Sequence, residues 1–352
     1  MTFRLLANLL FVLAIPALPV HATDRWPRAR PDQEKIDGKA LEVFFTSLRT
    51  EPQRDLKGIV ILRHGSLVAE SYFNGDDANS LHDIRSATKS ITATLMGIAI
   101  DRGMVKSVDD SIATYLPNLP RDGKENIKIR DLLNMRSGLD ANDDDPASPG
   151  NETRLDASTD WMKSVYEVPM KAPPGKQYIY VSINAFLAGA IIENASQIEL
   201  DKFAFQNLFS PLGIARYKWR HVPIDRTTGQ GNLEITTRDE AALGQLFLEK
   251  GQYDHRKIVS SGWVEQCLAN QVPISAVDPY ADFYGYMWYT KTETVGGRSI
   301  LVHFASGNGG NKIYLVPSLN LVMAITSSAY NQHYGQQRSH DILLKVLSLA
   351  QP

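Results

Sequence analysis

The chain has a single cysteine, Cys267, among 352 residues, which rules out an intrachain disulfide. Its setting, Trp263 to Leu268, reads as a helix face, so a packed thiol is expected there. The eight histidines are scattered, with no His-x-x-x-His or Cys-x-x-Cys spacing, so no metal site built by the protein is expected. The formal charge is −2, which gives no electrostatic case for nucleic acid or an anionic membrane as partner. Repeats, heptads and low-complexity tracts are also missing. With 43% hydrophobic and 22% charged residues the composition is that of an ordinary globular protein, long enough for a large core and two lobes.

The N-terminus departs from this balance. Arg4 precedes a nearly continuous apolar stretch, Leu5 to Val20, and Val20-His21-Ala22 fits a small-residue cleavage site. Residues 1–22 therefore read as a signal peptide cut after Ala22, placing the mature protein in the periplasm or outside the cell. A membrane anchor is the competing reading, but Pro16 and Pro19 interrupt a run already short of the ~20 apolar residues of a span. No stable membrane insertion is expected once the signal is removed.

Ile59 to Arg63 and Leu67 to Phe73 read as two strands around the tight turn His64-Gly65-Ser66. From there to about residue 265 the patterns are mainly helical. Ile129 to Met135, Phe186 to Asn194 and Arg238 to Lys250 read as helices. Asn142 to Asn151, with three consecutive aspartates, reads as a solvated loop. Strands return at Tyr284 to Thr290, Ile300 to Phe304, Lys312 to Val316 and Leu321 to Ser327, and a helix over Gln336 to Leu349 closes the chain. Strands at both ends predict one sheet, with an α/β lobe from about 30–85 and 270–352 and a helical lobe inserted over about 100–265. A cleft between the lobes is the natural site.

Three stretches carry candidate chemistry. Ser86-Ala87-Thr88-Lys89 opens the apolar run Ile91, Leu95, Met96, Ile98, Ile100. One helical turn separates the hydroxyl from the amine, so both project from one face. In a dry pocket the ammonium form is disfavoured, and the free amine of Lys89 can take the Ser86 proton. The alternative is an exposed first turn with no chemistry. Pro173 to Ser182 is a loop rising into a helix; Tyr178 or Tyr180 there is either a proton relay or an ordinary loop aromatic. Ala305-Ser306-Gly307-Asn308-Gly309-Gly310 follows a strand, and glycines so dense permit either close backbone approach to a ligand or a plain hairpin. His303 lies on the same strand face as Ala305 and reads as a packed residue.

Taken in order, these stretches resemble the serine β-lactamase and D-alanyl-D-alanine peptidase superfamily, in its class C-like branch of esterases and 6-aminohexanoate-oligomer hydrolases. Ser86-x-x-Lys89 matches the nucleophile motif. Arg136-Ser137-Gly138-Leu139 looks like a hallmark stretch of the branch, Tyr180-Val181-Ser182 occupies the Tyr-x-Asn place, and Phe304 to Ser327 is similar to the glycine hairpin and strand pair. The resemblance covers nearly the whole mature chain. It implies an α+β fold, a central antiparallel sheet flanked by helices with an inserted helical lobe.

It further implies an acyl-enzyme on Ser86, with Lys89 as base, Tyr180 as leaving-group acid, and the amides of Ser86 and Asn308 as oxyanion hole. Ser182, Ser306, Gly307 and Gly309 would line the substrate. No cofactor is implied. Two departures bear on the substrate: Ala305-Ser306-Gly307 lacks the cation that the family's Lys-Thr-Gly or His-x-Gly supplies for a carboxylate, and Ser182 stands where Asn is usual. A small uncharged ester or amide is therefore the expected substrate. A β-lactamase, a D-alanyl-D-alanine peptidase, or a binding module without turnover are the alternatives.

Overall fold

The computed structural model describes residues 25–223 and 226–352, so the expected signal peptide and its cleavage site lie outside the described residues. Two N-terminal strands, β1 (Leu56–Arg63) and β2 (Ser66–Tyr72), are joined at His64 and Gly65, both at positive φ. Six further strands come from the C-terminal part: β3 (Val272–Pro273), β4 (Phe283–Gly285), β5 (Trp288–Val295), β6 (Arg298–Gly307), β7 (Asn311–Val316) and β8 (Leu321–Ser327). Together they form one sheet in the order β3-β4-β5-β6-β7-β8-β1-β2, antiparallel throughout.

The two ends of the chain meet where β1 pairs with β8, Ile59 opposite Ile325 and Ile61 opposite Met323. These are the most continuously apolar strands, and β8 is buried along its whole length. A strand apolar on both faces needs cover on both faces. α7 (His333–Leu349) lies against β5, β7 and β8, and α5 (Thr237–Leu248) against β1, β7 and β8. Gly244 of α5 permits that approach, since a Cβ there would stand 2.5 Å from Val322. Although expected in the helical lobe, α5 thus belongs with the sheet. Its Arg238 forks onto Glu70 of β2 at 2.6 and 2.7 Å.

Between the sheet strands run α2 (Thr88–Asp101), α3 (Ile129–Leu133), α4 (Ser182–Ser196) and α6 (Ser261–Leu268). Every residue of α2 from Thr88 to Ala99 is buried, because α4 and α6 enclose it. Trp263 of α6 donates from its indole nitrogen to the Ala93 carbonyl at 3.0 Å.

The expected single strand Tyr284 to Thr290 is in fact two, broken at Tyr286 and Met287, which both take positive φ. The break frees the main chain to bond the helices below it: Met287 N–H donates to Leu133, and the Met287 carbonyl accepts from Ser90 Oγ at 2.6 Å. These bonds seat the first turns of α2 against the sheet.

Packing this close leaves a testable mark at Gly97, where a Cβ would fall 2.2 Å from the Trp263 ring. Gly97→Ala should lower stability by about 1–3 kcal/mol, the range for overpacking a filled core. The shift of the urea midpoint at unchanged slope measures it.

Candidate active site

Ser86 sits in a short 3-10 turn, Arg85–Ala87, that runs straight into α2. Arg85, the residue before it, holds φ at 52°, in the left-handed region. Asp83 fixes that conformation by accepting the Arg85 N–H at 2.8 Å, while the guanidinium lies over Tyr330, 4.8 Å from the ring centre. Backbone strain held by its surroundings is characteristic of functional turns.

Lys89 stands one turn further along α2 and is 2% exposed. Its Nζ lies 2.9 Å from Ser86 Oγ, 3.1 Å from Ser182 Oγ and 3.0 Å from the Gln230 carbonyl. Three acceptors match the three N–H bonds of an ammonium. Burial pulls the amine down, but Tyr180, Glu152 and Asp143 outweigh it, and the group titrates above the ordinary lysine value. The expected neutral amine in a dry pocket is thus corrected: the pocket is dry, yet it is lined with acidic groups.

Asp143 and Glu152 are the residues that sequence reasoning missed. The aspartate run read as a solvated turn, but Asn151 ties the loop together through the carbonyls of Asn142 and Asp143. Asp143 Oδ2 then accepts the Ser182 N–H at 2.7 Å, at the first residue of α4. Asp143 therefore joins the loop to the helix that carries Ser182. The tight Asp-Asn cluster was the one available signal.

The two tyrosines separate clearly. Tyr180 places its ring 5.0 Å from Lys89 Nζ. Tyr178 turns away into an aromatic cluster, edge-on to Tyr284 at 5.4 Å, and burial pushes its phenol up. Ser182, expected to touch substrate, is 1% exposed and bonds Lys89 instead.

The glycine hairpin backs onto the turn that carries Ser86. A Cβ on Gly307 would stand 2.0 Å from the Ile84 carbonyl, so only glycine lets β6 come this close to Ser86. Gly309, at φ 86°, rests on Ala329 and Tyr330. Both glycines, expected to line the substrate, permit close approach between protein segments. Asn308 follows the strand, its side chain fixed by two bonds to Asn331 at 2.7 and 2.8 Å. Its main chain is thereby held beside the turn that carries Ser86.

Ser306 is partly buried, and its Oγ accepts from Lys312 Nζ at 2.8 Å. The third motif therefore has a lysine beside it, although none within it. It comes from β7, where Lys312 is the register partner of Ser306. His303 and Cys267 are packed as expected. Burial pushes His303 down to about 4, and its Nδ1 lies 2.8 Å from Thr290 Oγ1; Cys267 is fully buried and its thiol is pushed up.

A serine, a lysine and a tyrosine are thus gathered at the start of a buried helix, beside a glycine hairpin. The family model described as Beta-lactamase matches residues 45–347. The chain belongs to the beta-lactamase family. A 6-aminohexanoate-dimer hydrolase from Paenarthrobacter ureafaciens is 24% identical over 335 residues, covering 88% of this chain and 82% of that one. Among solved structures, D-amino acid amidase from Ochrobactrum anthropi SV3 superposes with a TM-score of 0.66 at 16% identity, covering 88% and 97% of the two chains. A penicillin-binding protein homolog from Caulobacter crescentus gives 0.66 at 14% identity, covering 91% and 97%. These likenesses bear out the mixed fold with a central antiparallel sheet.

This beta-lactamase family member should show the influence of its acidic loop directly. In ε-13C-lysine NMR, with Lys89→Arg used for assignment, the Lys89 signal should titrate above 10.5, the ordinary value. Asp143→Asn keeps an acceptor for Ser182 but removes a negative charge, so the titration should move to lower pH. An unmoved titration would mean that Asp143 does not hold the ammonium.

Proposed function

We propose that this chain is an exported serine hydrolase that cleaves short linear amides and esters through an acyl-enzyme on Ser86. The observation that carries the proposal is the contact of Lys89 Nζ with Ser86 Oγ, 2.9 Å at the mouth of a buried helix, under the ring of Tyr180. Ser86 Oγ attacks the carbonyl carbon. The pair of Lys89 and Tyr180, having released one proton to solvent, takes the Ser86 proton, and Tyr180 returns it to the leaving nitrogen or oxygen. The carbonyl oxygen is received by the amides of Ser86 and Asn308. Water then attacks the acyl carbon, its proton following the same route, and the acid is released.

Amides are favoured over β-lactams by the kinds of protein this chain resembles, a dimer hydrolase and an amino acid amidase. Export is supported by Arg4 and the apolar stretch Leu5 to Val20.

A fluorophosphonate probe followed by peptide mapping tests the nucleophile. Labelling should fall on Ser86 and vanish in Ser86→Ala. Tyr180→Phe and Lys89→Ala should each slow labelling by at least about a hundredfold, the lower range for general acid–base help, whereas Tyr178→Phe should leave it near native. A binding module without turnover would show no labelling at Ser86 in the native chain.

The leaving group gives a second test. Tyr180→Phe should reduce kcat/KM for alkyl amides far more than for p-nitrophenyl esters, which leave without protonation. Equal losses on both would remove Tyr180 from the proton path.

A further inference from the structure

Away from Ser86, the far end of α4 borders a groove of about 520 Å³, inside the range of about 300–1,000 Å³ usual for small-molecule sites. Asn194, in its lining, lies about 18 Å along the helix from Ser182, at a rise of about 1.5 Å per residue. The groove is therefore separate from the site around Lys89. Three segments wall it: the turn that ends at Tyr115, the helix Trp161–Glu167 with Met162 and Tyr166, and the end of α4 with Gln197.

Among the described lining residues Arg226 alone carries charge, and that charge is already met. Its Nη1 donates to the buried Glu193 at 2.6 Å and its Nη2 to Asn194 Oδ1 at 3.0 Å. An anion would have to compete with that carboxylate, so the groove favours a neutral ligand. The apolar wall is held in place by the protein: the Tyr115 phenol donates to Asp110 at 2.7 Å and accepts the Lys106 N–H at 2.9 Å, while its carbonyl accepts from Asn194 Nδ2 at 2.9 Å. Three polar groups are left over. The half-buried Tyr166 phenol, pushed up by burial against the pull of Arg226, has no hydrogen-bond partner among the described residues, and neither has the exposed amide of Asn118. Gln197 ends α4 at φ 58°, a left-handed position where glycine is usual; its Nε2 donates to the Asn194 carbonyl at 2.7 Å, which leaves Oε1 free to accept. Together these supply donors and acceptors without charge.

We propose that this groove binds a neutral saccharide, independently of the hydrolytic site. A pyranose has a face of C–H bonds and a rim of hydroxyls that both donate and accept. The face suits the rings of Tyr115 and Tyr166 with Met162 beside them, and the rim suits the Tyr166 phenol, Gln197 Oε1 and the Asn118 amide. With no ion pair formed on binding, affinity does not depend on salt. A saccharide held here leaves Ser86 open, so it anchors the chain to a glycan without competing with the substrate. The inference does not rest on Ser86 being the nucleophile.

Methyl-13C-methionine NMR reads the groove through Met162, with Met162→Leu used for assignment. Cellobiose and maltose are the probes, and sodium hexanoate is the anionic control. At least one disaccharide should shift the Met162 methyl signal saturably, with a Kd in the millimolar range that is the same at low and high salt, and hexanoate should not. Tyr166→Ala should weaken that binding by at least about tenfold, and Asn118→Ala by about fivefold, the loss expected for one hydrogen bond. Unchanged thermal midpoints identify the variants as folded, and Asn118, being exposed, gives a second variant should Tyr166→Ala unfold. A Met162 signal that neither disaccharide moves, that hexanoate moves instead, or that responds with native affinity in the folded variants overturns the proposal. So does competitive inhibition of p-nitrophenyl butyrate hydrolysis by the disaccharide, which would put it in the cleft at Ser86.

Discussion

A charged lysine buried at the end of an apolar helix is the constraint on which this site depends. An ammonium out of water is tolerated only when each N–H finds an acceptor and the charge is balanced nearby. Here the acceptors come from three separate parts of the chain: Ser86 at the entry to α2, Ser182 at the first residue of α4, and the carbonyl of Gln230 in the segment before α5. Satisfying Lys89 thus requires the helical region and the segment preceding α5 to meet in one place. The geometry of Ser86 follows from this, because its hydroxyl is itself one of the three acceptors.

The balancing charge is supplied less directly. Asp143 and Glu152 belong to a loop whose own side chains close it, and Asp143 also accepts the N–H at the start of α4. One carboxylate therefore anchors the backbone that presents Ser182 and holds up the pKa of the lysine that Ser182 contacts. On the opposite side, Gly307 lets β6 approach the Ser86 turn, and the positive φ of Arg85 is held by Asp83 and Tyr330. Ser86 is gripped from both sides by contacts that involve no substrate, which is preorganisation in the physical sense.

Much of this was legible in the sequence. Strands at both ends of a helical middle predicted one sheet, which β1 and β8 complete by pairing, and the Ser-x-x-Lys turn was marked by the run that buries α2. Tyr180 was separated from Tyr178 only by family resemblance; the structure gives the physical reason, which is that Tyr178 belongs to the cluster with Tyr284. The break at Tyr286 and Met287 was not legible, since its cause is hydrogen bonding to α2 and α3 rather than any local turn residue. The placement of α5 on the sheet was equally hidden. Its amphipathic pattern states that one face is covered but does not say by what.

Lys312 shows the same limit at the site itself. A motif is a spacing along the chain, and along the chain Ser306 is followed by glycines and no cation. An antiparallel turn, however, makes residues on adjacent strands direct neighbours on one face. The register that sets Ser306 opposite Lys312 brings from β7 a lysine that the motif on β6 does not carry. The substrate expectation drawn from the missing cation therefore loses its premise, while the nucleophile assignment does not, because it rests on residues within one helical turn. Local motifs survive folding unchanged, and statements about what a site lacks hold only after the neighbouring strand has been placed.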